Sequence, residues 1–434
     1  MTRTITIDHL PRVEGHGGIW VELEGNAVKE VQFRIFEGLR LVEGLVRERD
    51  FNDVPQIVSR ICAICSVAHT LTSIKAIEDA FAVQPGPQTL QLRDLMFRGE
   101  NIESHALHLF LLALPDYFGY PSAADMAVEH REAVTLGLRL KRLGNSIQET
   151  IGGRAIHPVN ALVGGFGSLP TADQLIALRN ELRIGVEDSE AIVDVIRSLP
   201  PVDYCQADTV YAAMRSEPVY GYYEGDCVEI VEKQSRERFA PAAYHTVIDE
   251  RAMPYSHAKL SEHKGTPFMV GALARLAVNG ERLDGIGGRA LSELRLRLPS
   301  GNPMDNNKAQ AVELVFDIEQ ALFAVERLLG GTLAREARPA LRPRAARGSA
   351  VTEAPRGLLV HSYEFDGNGR VVAADVVTPT AINAASIERH IGRAIEQSAE
   401  RDIPTLTRKA EMIARAYDPC ISCSVHLVCG RDGD

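Results

Sequence analysis

No apolar run in this chain is long enough to cross a membrane. The densest, HLFLLALP at positions 108–115, falls far short of the roughly 20 residues a spanning helix needs. Direct membrane insertion is therefore excluded. The opening MTRTITIDHL has no apolar stretch of signal-peptide length, so a cytoplasmic protein is expected. Positive charge is short too. The formal net charge is −11, which argues against a nucleic-acid groove or an anionic membrane surface as partner. There is no internal repeat, and no stretch reads as a flexible linker. Cysteine is sparse and odd in number, seven in 434 residues, so this is not a small disulfide scaffold. In a reducing compartment, paired thiols more often bind metal or do redox chemistry than form structural bridges.

What is present is the balance of a globular protein, 45% hydrophobic and 24% charged, with enough apolar material for a sizeable core. The segment GGIWVELEGNAVKEVQFRIF places two apolar-rich runs around Glu24, Gly25 and Asn26 and reads as a hairpin. TLTSIKAIEDAF has helical periodicity, and a long helical pattern runs from Leu90 to Tyr117 with Pro115 in its last turn. Thr171 and Gln174 make a capping box for another long helix, and AVELVFDIEQALFAVERLLGG closes on Gly330. Positions 200–265, rich in Tyr, Gly and Pro, read as loops and short strands. The Pro- and Arg-rich stretch at 337–357 is expected to be irregular. LLVHSYEFDGNGRVVAADVV is a second hairpin, turned at positions 366–369. A last helix runs from Thr405 to Tyr417 and stops before Pro419. The fold class expected is α+β, mainly α: one large domain over 1–434 with a core of long helices and peripheral β hairpins. Its first part, 1–60, is β-rich, and 61–200 and 305–426 form the helical core.

The chemistry concentrates in two phrases. RICAICSVAH carries Cys62, Cys65 and His69; DPCISCSVH carries Cys420, Cys423 and His426. Thiolates are soft ligands that suit zinc, iron–sulfur clusters, copper(I) and other soft metals. A zinc ribbon would separate its pairs by about 15–20 residues, whereas nearly the whole chain lies between these two. A thioredoxin-type site needs one CxxC and leaves the second unexplained. Four buried structural cysteines is the remaining plain reading. A site made from both ends of a chain forms only after folding and lies deep, which suits a reactive redox metal.

These two phrases resemble the cysteine signatures of the large subunit of nickel–iron hydrogenases. The resemblance continues in family order through RVEGHG (Arg12 to Gly17), FEG (Phe36 to Gly38), GGRAIHPVNALVGGF (Gly152 to Phe166), FMVGALAR (Phe268 to Arg275), EAPRG (Glu353 to Gly357) and VVTPT (Val376 to Thr380). The chain looks most like the soluble, nicotinamide-linked group. A respiratory complex I subunit shares the fold but has lost the cysteines, all four of which remain here. A membrane-bound, ion-pumping hydrogenase keeps them and stays an alternative, and a zinc-stabilised binding protein is a third.

The resemblance implies an enzyme that cleaves H2 to protons and electrons. It places nickel on Cys62, Cys65, Cys420 and Cys423, with Cys65 and Cys423 also bridging to an iron that carries CO and CN ligands. Glu14 would move protons, burial raising its affinity for them. Arg356, in the block containing Pro355, would bond one cyanide, and Thr380 the other. Asp116 and Asp418 would hold Arg356, and His69 would bond a cysteine sulfur. Glu37 and His426 would bind magnesium. Arg154, His157, Cys205, Cys227 and Cys429 receive no role. With no cysteines left for an iron–sulfur cluster, electrons must leave through an iron–sulfur small subunit, with further NAD(P)- or flavin-binding subunits expected. The charged tail at 427–434 would be costly to bury unpaired. The resemblance implies a maturation protease that removes it after His426.

Overall fold

The computed structural model describes residues 2–38, 41–215, 220–225 and 227–425. Strands β1 (Thr2–Ile7), β2 (Gly17–Glu24) and β3 (Ala27–Ile35) form an antiparallel meander. Glu24 pairs with Ala27 across a two-residue turn in which Gly25 takes φ +63°, which glycine adopts without steric cost. Alternation then sends Ile19, Val21 and Leu23 of β2 into the core.

Helix α1 (Ser66–Phe81) starts directly behind Cys65 and is buried along almost its whole length. Its first free amides find a buried carboxylate: Val67 and Ala68 donate to Glu100 at 2.7 and 3.1 Å. Glu100 belongs to α2 (Pro87–Leu107), which opens on a proline where no N–H is needed. The helical path expected as far as Tyr117 is present but not uniform. It widens into a π-helical turn at His108–Ala113 before resuming at Leu114–Phe118. Pro115 has no N–H and its ring crowds the carbonyl four residues back, and the widened turn just before it absorbs that conflict.

Helix α3 (Arg131–Gly152) lies against α2 at very close range. A Cβ at Gly144 would stand 2.5 Å from the Glu103 nitrogen and 2.5 Å from the Gly99 carbonyl oxygen. Helix α4 (Ala172–Glu187) carries the expected capping box: Gln174 N–H donates to the Thr171 hydroxyl, and Thr171 N–H to the Gln174 side chain. The mixed region supplies β4 (Val210–Arg215), β5 (Cys227–Glu232), β6 (Ser235–Phe239) and β7 (Phe268–Met269), in the order β7-β4-β5-β6. Buried α5 (Ala272–Asn279) and the long α6 (Asp305–Gly330) follow.

The stretch expected to be irregular departs from that reading in its second half. Ala346–Ala354 is strand β8, paired along its length with β9 (Gly357–Phe365), which pairs in turn with β10 (Val371–Val377). Most of the Arg and Pro content behind that expectation belongs to 338–344. The charge within β8 at Glu353 is hidden because a buried arginine meets it. The second hairpin thus gains a third strand, and β8 packs on α1. Helices α7 (Pro379–Gln397) and α8 (Ile403–Ala416) close the chain on the same core. Asp402 caps α8 by accepting from Thr405 N–H at 2.9 Å. Among the described residues no helix is long and apolar enough to cross a membrane.

Candidate metal centre

Cys62 lies just after a 3-10 turn (Ser59–Ile61), and Cys65 occupies the N-cap position of α1. Cys420 and Cys423 lie in the short turn that follows α8. Folding brings the four sulfurs within 4.8 Å of one another, all buried. Cys62 Sγ is 3.2 Å from Cys420 Sγ, Cys65 Sγ is 3.1 Å from Cys423 Sγ, and Cys420 and Cys423 are 2.7 Å apart. A disulfide would hold two sulfurs at about 2.05 Å, so these are four free thiols. Burial pushes Cys420 and Cys423 well above the usual thiol range, while hydrogen bonds from Cys420 and Cys423 pull Cys62 well below it. A cation taking all four as thiolates must displace the protons that burial favours.

The N-terminal segment closes over the C-terminal pair. Ile421 N–H donates to the Glu14 carbonyl at 2.9 Å, and Ser422 N–H to the Glu14 carboxylate at 3.0 Å. The same carboxylate oxygen lies 3.3 Å from Cys420 Sγ. Glu14 is half-buried rather than sealed in. Thr380, at the start of α7, accepts from Cys420 N–H at 2.9 Å.

Arg356 stands at the tip of the two-residue turn joining β8 to β9, where Ala354 pairs with Gly357. Its Nε donates to the Asp418 carbonyl at 2.7 Å and its Nη2 to the Asp418 carboxylate at 2.9 Å. Asp418 is held in turn by Gln310 Nε2 at 3.2 Å. Arg356 is buried, yet its Nη1 has no partner among the described residues. A buried donor left over beside four sulfurs fits a site built to receive an anionic group as well as a metal.

Two expected contacts are not made. Asp116 does not hold Arg356. It pairs in two places with Arg415 of α8, at 2.7 and 2.9 Å, and with Arg12. Its position after the π-helical turn faces it towards α8, and the Arg356 guanidinium bonds Asp418 instead. The His69 ring engages a histidine and not a cysteine sulfur: its Nδ1 is 3.0 Å from His361 Nε2, because β9 crosses that face of α1. Burial lowers the His69 pKa to about 4.

Glu37 accepts from His16 N–H at 3.0 Å and lies 2.8 Å from the His16 ring. His426, expected to join Glu37 at a magnesium ion, lies outside the described residues, as do Cys429 and the tail. Pro355 contributes a carbonyl to Arg275 at 2.9 Å. His157 bonds the Ser59 carbonyl through Nδ1 at 2.9 Å, bracing the approach to Cys62. Arg275, Glu313 and Gln310 were given no role from sequence. Arg275 does fall inside one of the resembling blocks, but its buried carboxylate partners come from distant segments.

A family model described as nickel-dependent hydrogenase matches residues 40–137 and 202–426, and a HoxL-like model matches 4–37. The alpha chain of sulfhydrogenase 1 of Pyrococcus furiosus is 39% identical over 425 residues, covering 98% of each chain. An F420-non-reducing hydrogenase (vhu) polypeptide of Methanocaldococcus jannaschii is 32% identical, covering 91% of this chain and 98% of its own. A solved NAD+-reducing [NiFe]-hydrogenase superposes with a TM-score of 0.86 at 26% identity, covering 98% of this chain and 99% of its own. The Ni-Fe-Se hydrogenase of Desulfovibrio vulgaris Hildenborough, at 22% identity and a TM-score of 0.81, shares the fold. Matched along both halves of the sequence, over ranges that include all four buried thiols, the chain belongs to the nickel-dependent hydrogenases, as their large, catalytic subunit.

Proposed function

We propose that Cys62 and Cys420 are terminal nickel ligands and that Cys65 and Cys423 also bridge to an iron carrying CO and CN. The observation that carries this is the closure of four buried thiols from the two chain ends into one cluster. When bound, the metals supply the Lewis-acid and redox chemistry for heterolytic cleavage of H2. The chain supplies the rest. Glu14, with one oxygen on Cys420 Sγ, takes a proton from that sulfur and, being half-buried, passes it outward. Arg356, turned by Asp418, offers its free Nη1 to one cyanide. The Thr380 hydroxyl, accepting from Cys420 N–H, keeps its own proton for the other.

Electrons leave to an iron–sulfur small subunit. The NAD+-reducing neighbour supports further subunits that hand them to NAD(P), which would place the complex in the cytoplasm where that coenzyme is used. The same reading assigns a magnesium ion to Glu37 and His426, and the last described residue before His426 is tied to the segment beside Glu37. Val425 bridges to Ala258, and the adjacent His257 ring bonds the Glu37 carbonyl at 2.9 Å. A maturation protease would remove positions 427–434.

Metal analysis and infrared spectroscopy of the purified complex test the reading. Equal nickel and iron, CO and CN stretching bands, and H2-dependent reduction of a dye are expected. Zinc alone, or nickel without those bands, would overturn it.

A further inference from the structure

Arg356 sits at the tip of a two-residue hairpin, with its guanidinium bonded to Asp418. To set its reach, something must also fix the backbone of the turn. Arg275 does so. It is fully buried in α5, and all five of its N–H donors are used. Nε and Nη2 bond the two oxygens of Glu313 on α6, each at 2.7 Å. Nη1 bonds Glu353 on β8 at 3.1 Å. The two remaining donors reach the carbonyls of Ala354 and Pro355, each at 2.9 Å. These are the two residues immediately before Arg356.

The chain leading into the same helix also passes close to the Arg356 carbonyl. Gly271, one residue before α5, takes φ +113°, and a Cβ there would lie 3.1 Å from the Arg356 carbonyl oxygen. Glu313 is fixed independently by His105 at 2.8 Å and by the Tyr220 hydroxyl. Burial alone would raise the Glu313 carboxyl, but Arg275 brings it down to about 2, so the pair is charged. Neutralising Glu313 requires only one face of the guanidinium. The two carbonyl bonds do something further, aligning the turn.

We propose that Arg275 is a positioning residue for catalysis, fixing the reach of Arg356 over the metal site through the Ala354 and Pro355 carbonyls. This rests on the role given to Arg356 above. Lysine cannot substitute, since its three donors radiate from one point and cannot span two carboxylates and two carbonyls.

The test is a double-mutant cycle on the purified hydrogenase complex, with H2 oxidation normalised to nickel and iron content. Arg275→Lys should keep both metals and lower kcat about ten-fold or more, with KM for H2 within roughly two-fold of wild type. In an Arg356→Lys background the same change should cost less than roughly two-fold, because the residue it positions has been altered. An equal loss in both backgrounds would show Arg275 to be packing alone and overturn the proposal. So would a kcat for Arg275→Lys within roughly two-fold of wild type. Arg356→Lys at the wild-type rate would instead overturn the role of Arg356, and the proposal with it. Should Arg275→Lys be recovered without metals, Pro355→Gly carries the test, since it loosens the gripped peptide and leaves every buried charge in place. It should lower kcat in the wild-type background and not in the Arg356→Lys one; equal effects in both overturn the proposal.

Discussion

Cys423 touches both its own pair and Cys65, so it cannot be replaced by a harder ligand without cost. Cys423→Ser should purify without nickel and iron and without H2 activity, because a hydroxyl is a poor bridge between soft metals. Retained nickel with full activity, read by elemental analysis and dye reduction, would refute the four-sulfur site. Glu14→Gln preserves shape and can still accept from Ser422 N–H, but it cannot carry a proton. Both metals should remain while dye-linked H2 oxidation falls by roughly 100-fold or more. A near wild-type rate would mean protons leave by another route. At this scale the motifs were legible and the partners only partly so. Asp116 and Asp418 both lie close to a buried arginine, and nothing in one sequence distinguishes which arginine each will meet. The π-helical turn decides it for Asp116.

Among the elements, α2 and α3 depend on a backbone approach that only glycine permits. Gly144→Ala must push the helices apart or bend them, at a cost of about 1–3 kcal/mol. Chemical denaturation should show a lower midpoint, and an unchanged midpoint would mean that the contact relaxes freely. Helix α7 holds a different liability. Glu388 accepts from Phe33 N–H at 2.7 Å and from the Tyr255 hydroxyl at 2.9 Å, and burial raises its pKa from 4.5 to about 7. Glu30 adds to that rise and Arg251 opposes it. The folded state therefore binds the proton more tightly than the unfolded state. The associated stability is complete below the unfolded value and is lost as pH rises towards 7. Glu388→Gln stays neutral throughout. Relative to wild type it should gain on the order of 2–3 kcal/mol between pH 4 and pH 8. Unfolding curves at the two pH values check this, and a pH-independent difference would refute it. Capping signals and the 3.6-residue period made α4 and α6 readable in advance. Strand β8 was not readable, because its buried Glu353 looks like a surface residue until Arg275 is seen.

Across the whole molecule, the metal site closes only when the two ends meet. Glu14 pairs with Cys420 in a bridge, and Val425 pairs with Ala258. Positions 427–434 carry Arg431, Asp432 and Asp434, charges that a closing core would exclude. Intact-mass spectrometry should find the active, nickel-loaded form ending at His426 and the nickel-free form ending at Asp434. An active enzyme that retains Asp434 would show that closure does not need cleavage.

The sequence by itself was enough for the family, for most helices and for the four cysteines proposed as ligands, because motif blocks, capping and hydrophobic periodicity are local properties written in short stretches. It also determined that Glu14, Arg356 and Thr380 belong together, through blocks in a recognisable order. Only the tertiary structure decided which charges meet: Asp418 and not Asp116 beneath Arg356, His361 and not a sulfur beside His69, and Arg275 gripping the turn that carries Arg356. A buried ion pair is a relation between distant segments. Its stability depends on geometry and desolvation, and neither has a signature at either partner's place in the chain.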